Sequence, residues 1–411
     1  MTATHDAIVI GGGPAGSTAA LLLAEAGWHV AIVEHARFPR RKVCGEYISA
    51  STWPVLDRLG VVARLAAIAG PEVTHVGLYA GSSTRSARLG SSSGQSCDAG
   101  RAVGRAHLDT ALLQRAAECG AEVLQPWTLA SANRGHDGIY ECVIVDRETN
   151  ATSALRAGIV IAAHGSWEPA PLPTQAARHP ARDADLLGFK AHFARGSLPR
   201  GLMPLLAFPG GYGGMVHTDG GRISLSCCIR RDALAQCRAR SPGLPAGAVV
   251  LAHIAGSCAG VADALDNATI DDRWIAAGPL STGIRGFGNG GIFAVGNAAA
   301  EAHPVIAEGI SMAIQSSALL AAQLIDATPD ITGSEDALRA LRAQYEHAWR
   351  ANFAVRLQAS ALFAHLFMRP LPTRLATLIV GAIPQLLTEG ARWSGKSSQM
   401  SARGALLGDA R

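Results

Sequence analysis

The sequence predicts an α/β fold: a parallel sheet wrapped by helices in the Rossmann manner, an antiparallel sheet inserted in its middle, and helices at its C-terminal end. Three observations predict it. A strand-like run, Ala7 to Ile10, opens directly into Gly11-Gly12-Gly13-Pro14-Ala15-Gly16 and an Ala/Leu-rich helical stretch from Ser17 to Gly27. Between residues 183 and 290, four apolar or alternating segments read as strands: Leu186 to Phe193, Met203 to Phe208, Gly214 to Val216 and Arg222 to Arg230. Beyond Ser316 the pattern is helical, and after a polar break at 327–334 a second helical block runs from Glu335 to about Met368. The 411 residues, 48% hydrophobic and 17% charged, are too apolar to stay disordered and too many for one small module.

The N-terminal motif has a physical reading at each position. Gly11 allows the tight turn, Gly13 lets backbone approach a pyrophosphate, and Gly16 lets helix and sheet pack closely. Phosphates would sit on the helix N-terminus, where free N–H groups and the dipole favour negative charge. A second strand, Trp28 to Val33, ends at Glu34, placed to accept hydrogen bonds from a ribose hydroxyl pair. The same glycine spacing recurs at Gly286-Phe287-Gly288-Asn289-Gly290-Gly291, but there it precedes the strand Ile292 to Val295 and opens no helix, so it reads as a turn.

Composition excludes several function classes. The net charge is only +4, and no basic run beyond Arg40, Arg41 and Lys42 forms a patch, which argues against nucleic acid. Eight cysteines are spread without a CxxC pair or a Cys/His spacing suited to zinc, so no metal site or disulfide framework is implied. With no leader-like segment ahead of the first strand, the expected setting is cytoplasmic with reduced thiols. The apolar stretch Leu375 to Leu387 is too short to span a bilayer and contains Pro384.

Three further segments follow the motif: Arg37 to Ser49, with Arg41, Cys44-Gly45-Glu46 and Tyr47; Arg105-Ala106-His107-Leu108-Asp109, opening a helix that ends near Gly120; and Gly296 to Ala313, containing Asn297, Glu301, His303-Pro304 and Gly309-Ile310. In this order they resemble the FAD-binding fold of the geranylgeranyl reductase, flavin halogenase and aromatic hydroxylase superfamily, whose FAD domain is p-hydroxybenzoate hydroxylase-like. The resemblance covers roughly residues 5 to 325. It implies FAD as cofactor, held by Gly11, Gly13, Pro14, Ala15, Gly16, Glu34, Arg41, Cys44, Arg105, Asn297, Pro304, Gly309 and Ile310. Arg105 would contact the diphosphate or ribose side, and Asn297 stands where the superfamily usually has an Asp. Pro304 and Gly309 would shape the backbone beside the isoalloxazine, with the following helix aiming its dipole at the N1–C2 edge. The superfamily's Ala-Asp-Gly after the closing strand is here Ala163-His164-Gly165.

The resemblance also implies boundaries: an FAD domain at 1–182 and 280–330, a substrate sheet at 183–279, a helical region at 331–391 and a tail at 392–411. Phe208 to Val216 looks like a worn form of the Pro-x-x-Tyr-x-Trp-x-Phe-Pro segment of geranylgeranyl reductases, keeping Tyr212. Catalytic candidates are Tyr212, Cys44, Glu46 and His303. Each has a plainer reading: a glycine-rich hairpin for Tyr212, a small buried residue for Cys44, a surface or structural acid for Glu46 and equally Glu301, loop packing for His303, and a solvated helix start for Arg105. The leading activity is hydride-transferring reduction of a C=C bond in a lipophilic isoprenoid or polyketide-like molecule, with NADPH or NADH as electron donor. A monooxygenase acting on an aromatic or polyketide substrate is the alternative, and an FAD-binding protein without turnover is the remote one. Halogenation is disfavoured, because no two tryptophans stand two apart and no lysine lies between Lys42 and Lys190. The apolar stripe Phe353, Leu357, Leu362, Phe363, Leu366 and Phe367, with Arg356 outside it, reads as core, as the cap of a greasy tunnel, or as a peripheral membrane contact.

Overall fold

The computed structural model describes residues 3–89, 99–166, 172, 180–327, 334–369, 378–379 and 385–393. The expected tail at 392–411 lies outside them beyond Trp393, where a helix Gln385–Trp393 ends, as does most of the apolar stretch Leu375 to Leu387. The first sheet carries five parallel strands in the spatial order Glu122–Leu124, Val30–Val33, Ala3–Ile10, Thr152–Ala162, Ile292–Ala294. Ile8, Val9, Val30 to Ile32 and Ile159 to Ala162 are wholly buried, as a parallel sheet covered on both faces requires. Helices Pro14–Glu25, Arg105–Glu118 and Gly309–Asp326 pack on this sheet. The 33-residue helix Glu335–Phe367 joins the same core through Leu338, Leu341, Tyr345, Trp349 and Phe353. The second glycine repeat is a turn, as its context implies: Gly288–Asn289 pairs back on Ile292–Ala294, and a Cβ at Gly288 would lie 1.9 Å from the Ile292 carbonyl oxygen.

The middle sheet runs Thr269–Ile270, Leu186–Ala194, Ile223–Arg230, Gly211–His217, Leu202–Phe208, His75–Ala80, Ser83–Arg88. Its last two strands come from a segment the sequence assigns wholly to the first domain; His75–Ala80 joins parallel to Leu202–Phe208, a pairing of distant segments that no local pattern encodes. Three helices that the strand-dominated reading missed, Arg231–Arg240, Ala246–Ser257 and Ala259–Leu265, cover one face. Alternation then assigns every strand residue to a side. Phe189, Ala191 and Phe193 pack under these helices, whereas Gly188, Lys190 and His192 project from the other face, toward the first sheet.

Candidate functional site

The cleft between the two sheets encloses about 1680 Å³, mouth included, and gathers segments spread over three hundred residues of sequence. At one end lies the glycine turn. A Cβ at Gly16 would stand 1.8 Å from the Gly11 carbonyl oxygen, so this glycine serves helix packing and does not itself line the cleft. A Cβ at Gly13 meets nothing closer than the guanidinium nitrogens of Arg40 at 3.6 Å and Arg105 at 3.9 Å. Two cations thus converge on an open glycine at a helix N-terminus.

That end fits a diphosphate. Arg40 is half-buried, and its Nε and Nη1, themselves shielded from solvent, find no hydrogen-bond acceptor; its neighbours Glu34 and Asp109 stand 3.6 Å away, as ion pairs only. Arg105 is clamped bidentately on Asp109, at 2.6 and 2.7 Å. Burial disfavours its charge, yet the Asp109 carboxylate outweighs burial and holds its pKa above the ordinary range. Arg41, expected among the cofactor contacts, does not line the cleft: its guanidinium pairs with Asp272 at 2.9 Å. It is Arg40 and Lys42, on either side of Arg41, that line the cleft.

Glu34 lines the same end, almost fully buried. Its Oε2 accepts from Gly12 N at 2.7 Å, and its Oε1 lies 2.9 Å from both Ala36 N and His35 Nδ1. Burial alone would raise its pKa; the His35 hydrogen bond, the Arg40 charge and the Gly12 N–H overcome it and hold the value at about 2, against an ordinary 4.5. A depressed carboxylate stabilises the fold above its unfolded pKa and loses that contribution as pH falls through the folded one. Glu34→Gln is therefore expected to lose less stability than wild type between pH 4.5 and 2, measured by urea unfolding of the flavin-free protein. Parallel curves for the two proteins would refute this.

Along the cleft, the Cys44-Gly45-Glu46-Tyr47 segment forms one wall. Glu46 is neither a surface acid nor free. It sits at φ 64°, 2% exposed; its Oε1 accepts from Arg105 N and pairs with Lys190 Nζ, and its Oε2 lies 2.8 Å from His192 Nε2. Burial opposes ionisation, but His192 and Lys190 drive its pKa far below the ordinary range. Glu301 is likewise buried, paired with Arg285 at 2.6 Å, and its pKa is raised because burial outweighs Arg285. Asn297 donates to Ser166 Oγ at 3.0 Å and Glu301 Oε1 at 3.2 Å, so the amide in place of the superfamily's acid is part of the same wall. His164, Pro304, Gly309 and Ile310 also line the cleft.

The opposite wall is the middle sheet, contributing Met203, Leu205, Gly214, Val216 and Tyr212. Tyr212 is 1% exposed, and its hydroxyl lies 3.1 Å from His303 Nδ1; His303 Nε2 lies 3.1 Å from Thr282 Oγ1. His303 stands behind Tyr212 and does not itself line the cleft. Burial, then the neighbouring Cys228 thiol, pushes the Tyr212 pKa well above 10, and burial pushes that of His303 down. Sequence reasoning missed Arg40, Lys42, Tyr47, Lys190, His192 and Thr282; the scarcity of lysine was a signal for Lys190, since a rare charge on an apolar strand needs a partner.

Among the described residues no cluster of His, Cys, Asp or Glu suits a metal ion, seven cysteines are free, and no helix is long and apolar enough to cross a membrane.

Residues 4–180 match the family described as FAD binding domain. Menaquinone reductase of Mycolicibacterium smegmatis is 30% identical over 146 residues, 36% of this chain and 35% of the relative's own length. Digeranylgeranylglycerophospholipid reductase 2 of Methanopyrus kandleri is 26% identical over 377 residues, 88% of this chain and 87% of the relative. Among solved structures, the myxobacterial chondrochloren halogenase shares the fold at a TM-score of 0.70 and 21% identity, covering 87% of this chain and 83% of that one. The glycine turn with its two converging guanidinium groups, the arrangement of sheets and the match at 4–180 have one meaning: this chain carries an FAD-binding domain within a p-hydroxybenzoate hydroxylase-like fold.

Proposed function

We propose that this enzyme reduces a C=C bond of a lipophilic, isoprenoid-like molecule, drawing its electrons from NADPH or NADH. The observation that carries the reading is Tyr212: a neutral phenol hydroxyl, hydrogen-bonded from behind, in a wall that is mostly apolar (Met203, Leu205, Gly214, Val216) and whose other polar groups are the Ser226 hydroxyl and the Cys227 and Cys228 thiols. Such a surface takes an apolar chain and supplies one proton. The two reductases among the relatives agree with it.

FAD, held by the glycine turn, Arg40, Arg105 and Glu34, supplies hydride when reduced. Tyr212 supplies the proton. With its own proton on Nδ1, neutral His303 donates to Tyr212 Oη and accepts from Thr282 Oγ1, so the Tyr212 O–H is directed away from His303, toward the Cys228 sulfur that lines the cleft beside it. The raised tyrosine and depressed histidine pKa values favour these neutral forms at physiological pH. As Tyr212 gives its proton to the substrate carbon, His303 gives the Nδ1 proton to Oη and takes one from Thr282 on Nε2, and the half-buried Thr282 recovers its proton from solvent, so the proton delivered to the substrate is drawn in the end from water and no charge is left on the relay. The exposed Leu362, Leu378, Ile379 and Leu386 support a peripheral contact with the membrane from which such a substrate would come.

The test is anaerobic turnover of polyprenyl quinone and geranylgeranyl probes, read by mass spectrometry as the gain of two hydrogens. Tyr212→Phe is expected to lower turnover about 10²-fold with FAD binding unchanged. Normal turnover in the variant would remove Tyr212 as donor. A product formed only with oxygen, and carrying an added oxygen atom, would replace the reductase with a monooxygenase.

A further inference from the structure

The helix Gly309–Asp326 starts at the cleft, and the residue capping it is an acid. Glu308 is fully buried, flanked in sequence by Ala307 and Gly309, which both line the cleft. A carboxylate here opposes the positive end of the helix dipole as seen from the cleft. Its charge reaches the wall: after burial, it is the Glu308 carboxylate that pushes the Tyr47 hydroxyl pKa up, and Tyr47 is a lining residue.

One buried cation stands behind it. Arg356, on the helix Glu335–Phe367, is not outside the apolar stripe on the solvent side: its side chain is 7% exposed, with Nη1 4.0 Å from Glu308 Oε2 and 3.1 Å from Gln315 Oε1. Gln315 in turn donates to Ser51 Oγ and Thr52 Oγ1 at 3.4 and 3.3 Å. The cation is thereby fixed between the C-terminal helix, the cleft helix and the Cys44–Thr52 segment. A buried charge is costly to keep unless it is paired, and Glu308 is the carboxylate beside this one.

We propose that Glu308 and Arg356 form a charge pair that sets the reduction potential of the bound flavin: Glu308 disfavours the extra negative charge of the reduced form, and Arg356 offsets Glu308. Arg356 is a positioning residue in this scheme and touches no substrate. The proposal rests on FAD occupying the cleft, and it is independent of the reductase reading because its test needs no substrate.

The test measures the ratio of reduced to oxidised flavin spectroscopically, in the purified holoenzyme poised at one ambient potential, after FAD content has been confirmed. Glu308→Gln removes the anion and leaves Arg356, so the ratio is expected to rise about tenfold. Arg356→Met removes the cation that stands 4.0 Å from Glu308, so the ratio is expected to fall by a similar factor. The double variant returns toward wild type, and Arg356→Lys restores the ratio by restoring the charge. An unchanged ratio in Glu308→Gln, or a rise in Arg356→Met, overturns the proposal; a wild-type protein that purifies without flavin overturns the cofactor reading instead. Glu308→Gln is close to isosteric, so its result decides the matter even where Arg356→Met fails to fold.

Discussion

Gly13→Val is expected to abolish FAD binding while leaving the fold intact. Gly13 has φ −72° and ψ −175°, a conformation that a β-branched residue adopts readily. The space above its Cα holds only the two guanidinium groups, at 3.6 and 3.9 Å, so the added methyls meet no protein backbone. They occupy the place a pyrophosphate must take. The glycine is therefore required for the ligand and not for the chain, and the expected loss is at least about 10²-fold in FAD affinity, roughly 3 kcal/mol. Gly16→Ala is the contrast: its Cβ would stand 1.8 Å from the Gly11 carbonyl oxygen, so it should lower the melting temperature of the flavin-free protein itself. Flavin titration and thermal unfolding of both variants separate the two roles. Full flavin occupancy in Gly13→Val would move the diphosphate elsewhere.

The second large effect is on stability. Lys190→Met leaves Glu46 buried with its most direct cation gone, and breaking one partner of a buried pair costs about 3 to 5 kcal/mol. The loss should be largest near neutral pH. The folded pKa of Glu46 lies far below 4.5, so the pair contributes stability above that value and loses it as the medium is acidified. In wild type that contribution is present at pH 7 and shrinks in strong acid. Chemical unfolding of Lys190→Met at pH 7 should reveal the full deficit, and Lys190→Met combined with Glu46→Gln should recover part of it, because no uncompensated anion remains. Equal stability of wild type and Lys190→Met would mean that the charge is solvated after all.

This pair shows where sequence reasoning stops. Glu46 and Lys190 are 144 positions apart, and nothing local to either predicts the other. From sequence, the acid after Cys44-Gly45 reads equally as a surface or a structural residue, because an isolated Glu is usually solvated and nothing nearby names a buried partner. Arg356 misleads similarly. Its place beside an apolar helical stripe suggests solvent, but the opposing surface is another helix carrying Glu308 and Gln315, so the arginine is buried by tertiary contact. The Arg40 and Arg41 assignment turned on the direction of one side chain, which in a loop is set by its tertiary partners: Arg41 turns to Asp272, Arg40 to Glu34 and Asp109.

By itself the sequence determined the elements whose chemistry is local. The strand, glycine turn, helix, strand and acid from Ala7 to Glu34 are legible because glycine conformation, helix-end dipole and side-chain periodicity all act within about thirty residues. The same holds for the helices opening at Arg105 and Gly309, and for the strands of the middle sheet, whose alternation encodes a two-faced surface. Only the tertiary structure decided which strands share that sheet, which side chains meet in the cleft, and which charges are buried. His75–Ala80 joins Leu202–Phe208, Tyr212 meets His303, and Lys190 meets Glu46 because the docking of two sheets brings them together. Pairings of this kind arise from the packing of whole surfaces, whose energy is spread over the core and belongs to no short segment of the chain.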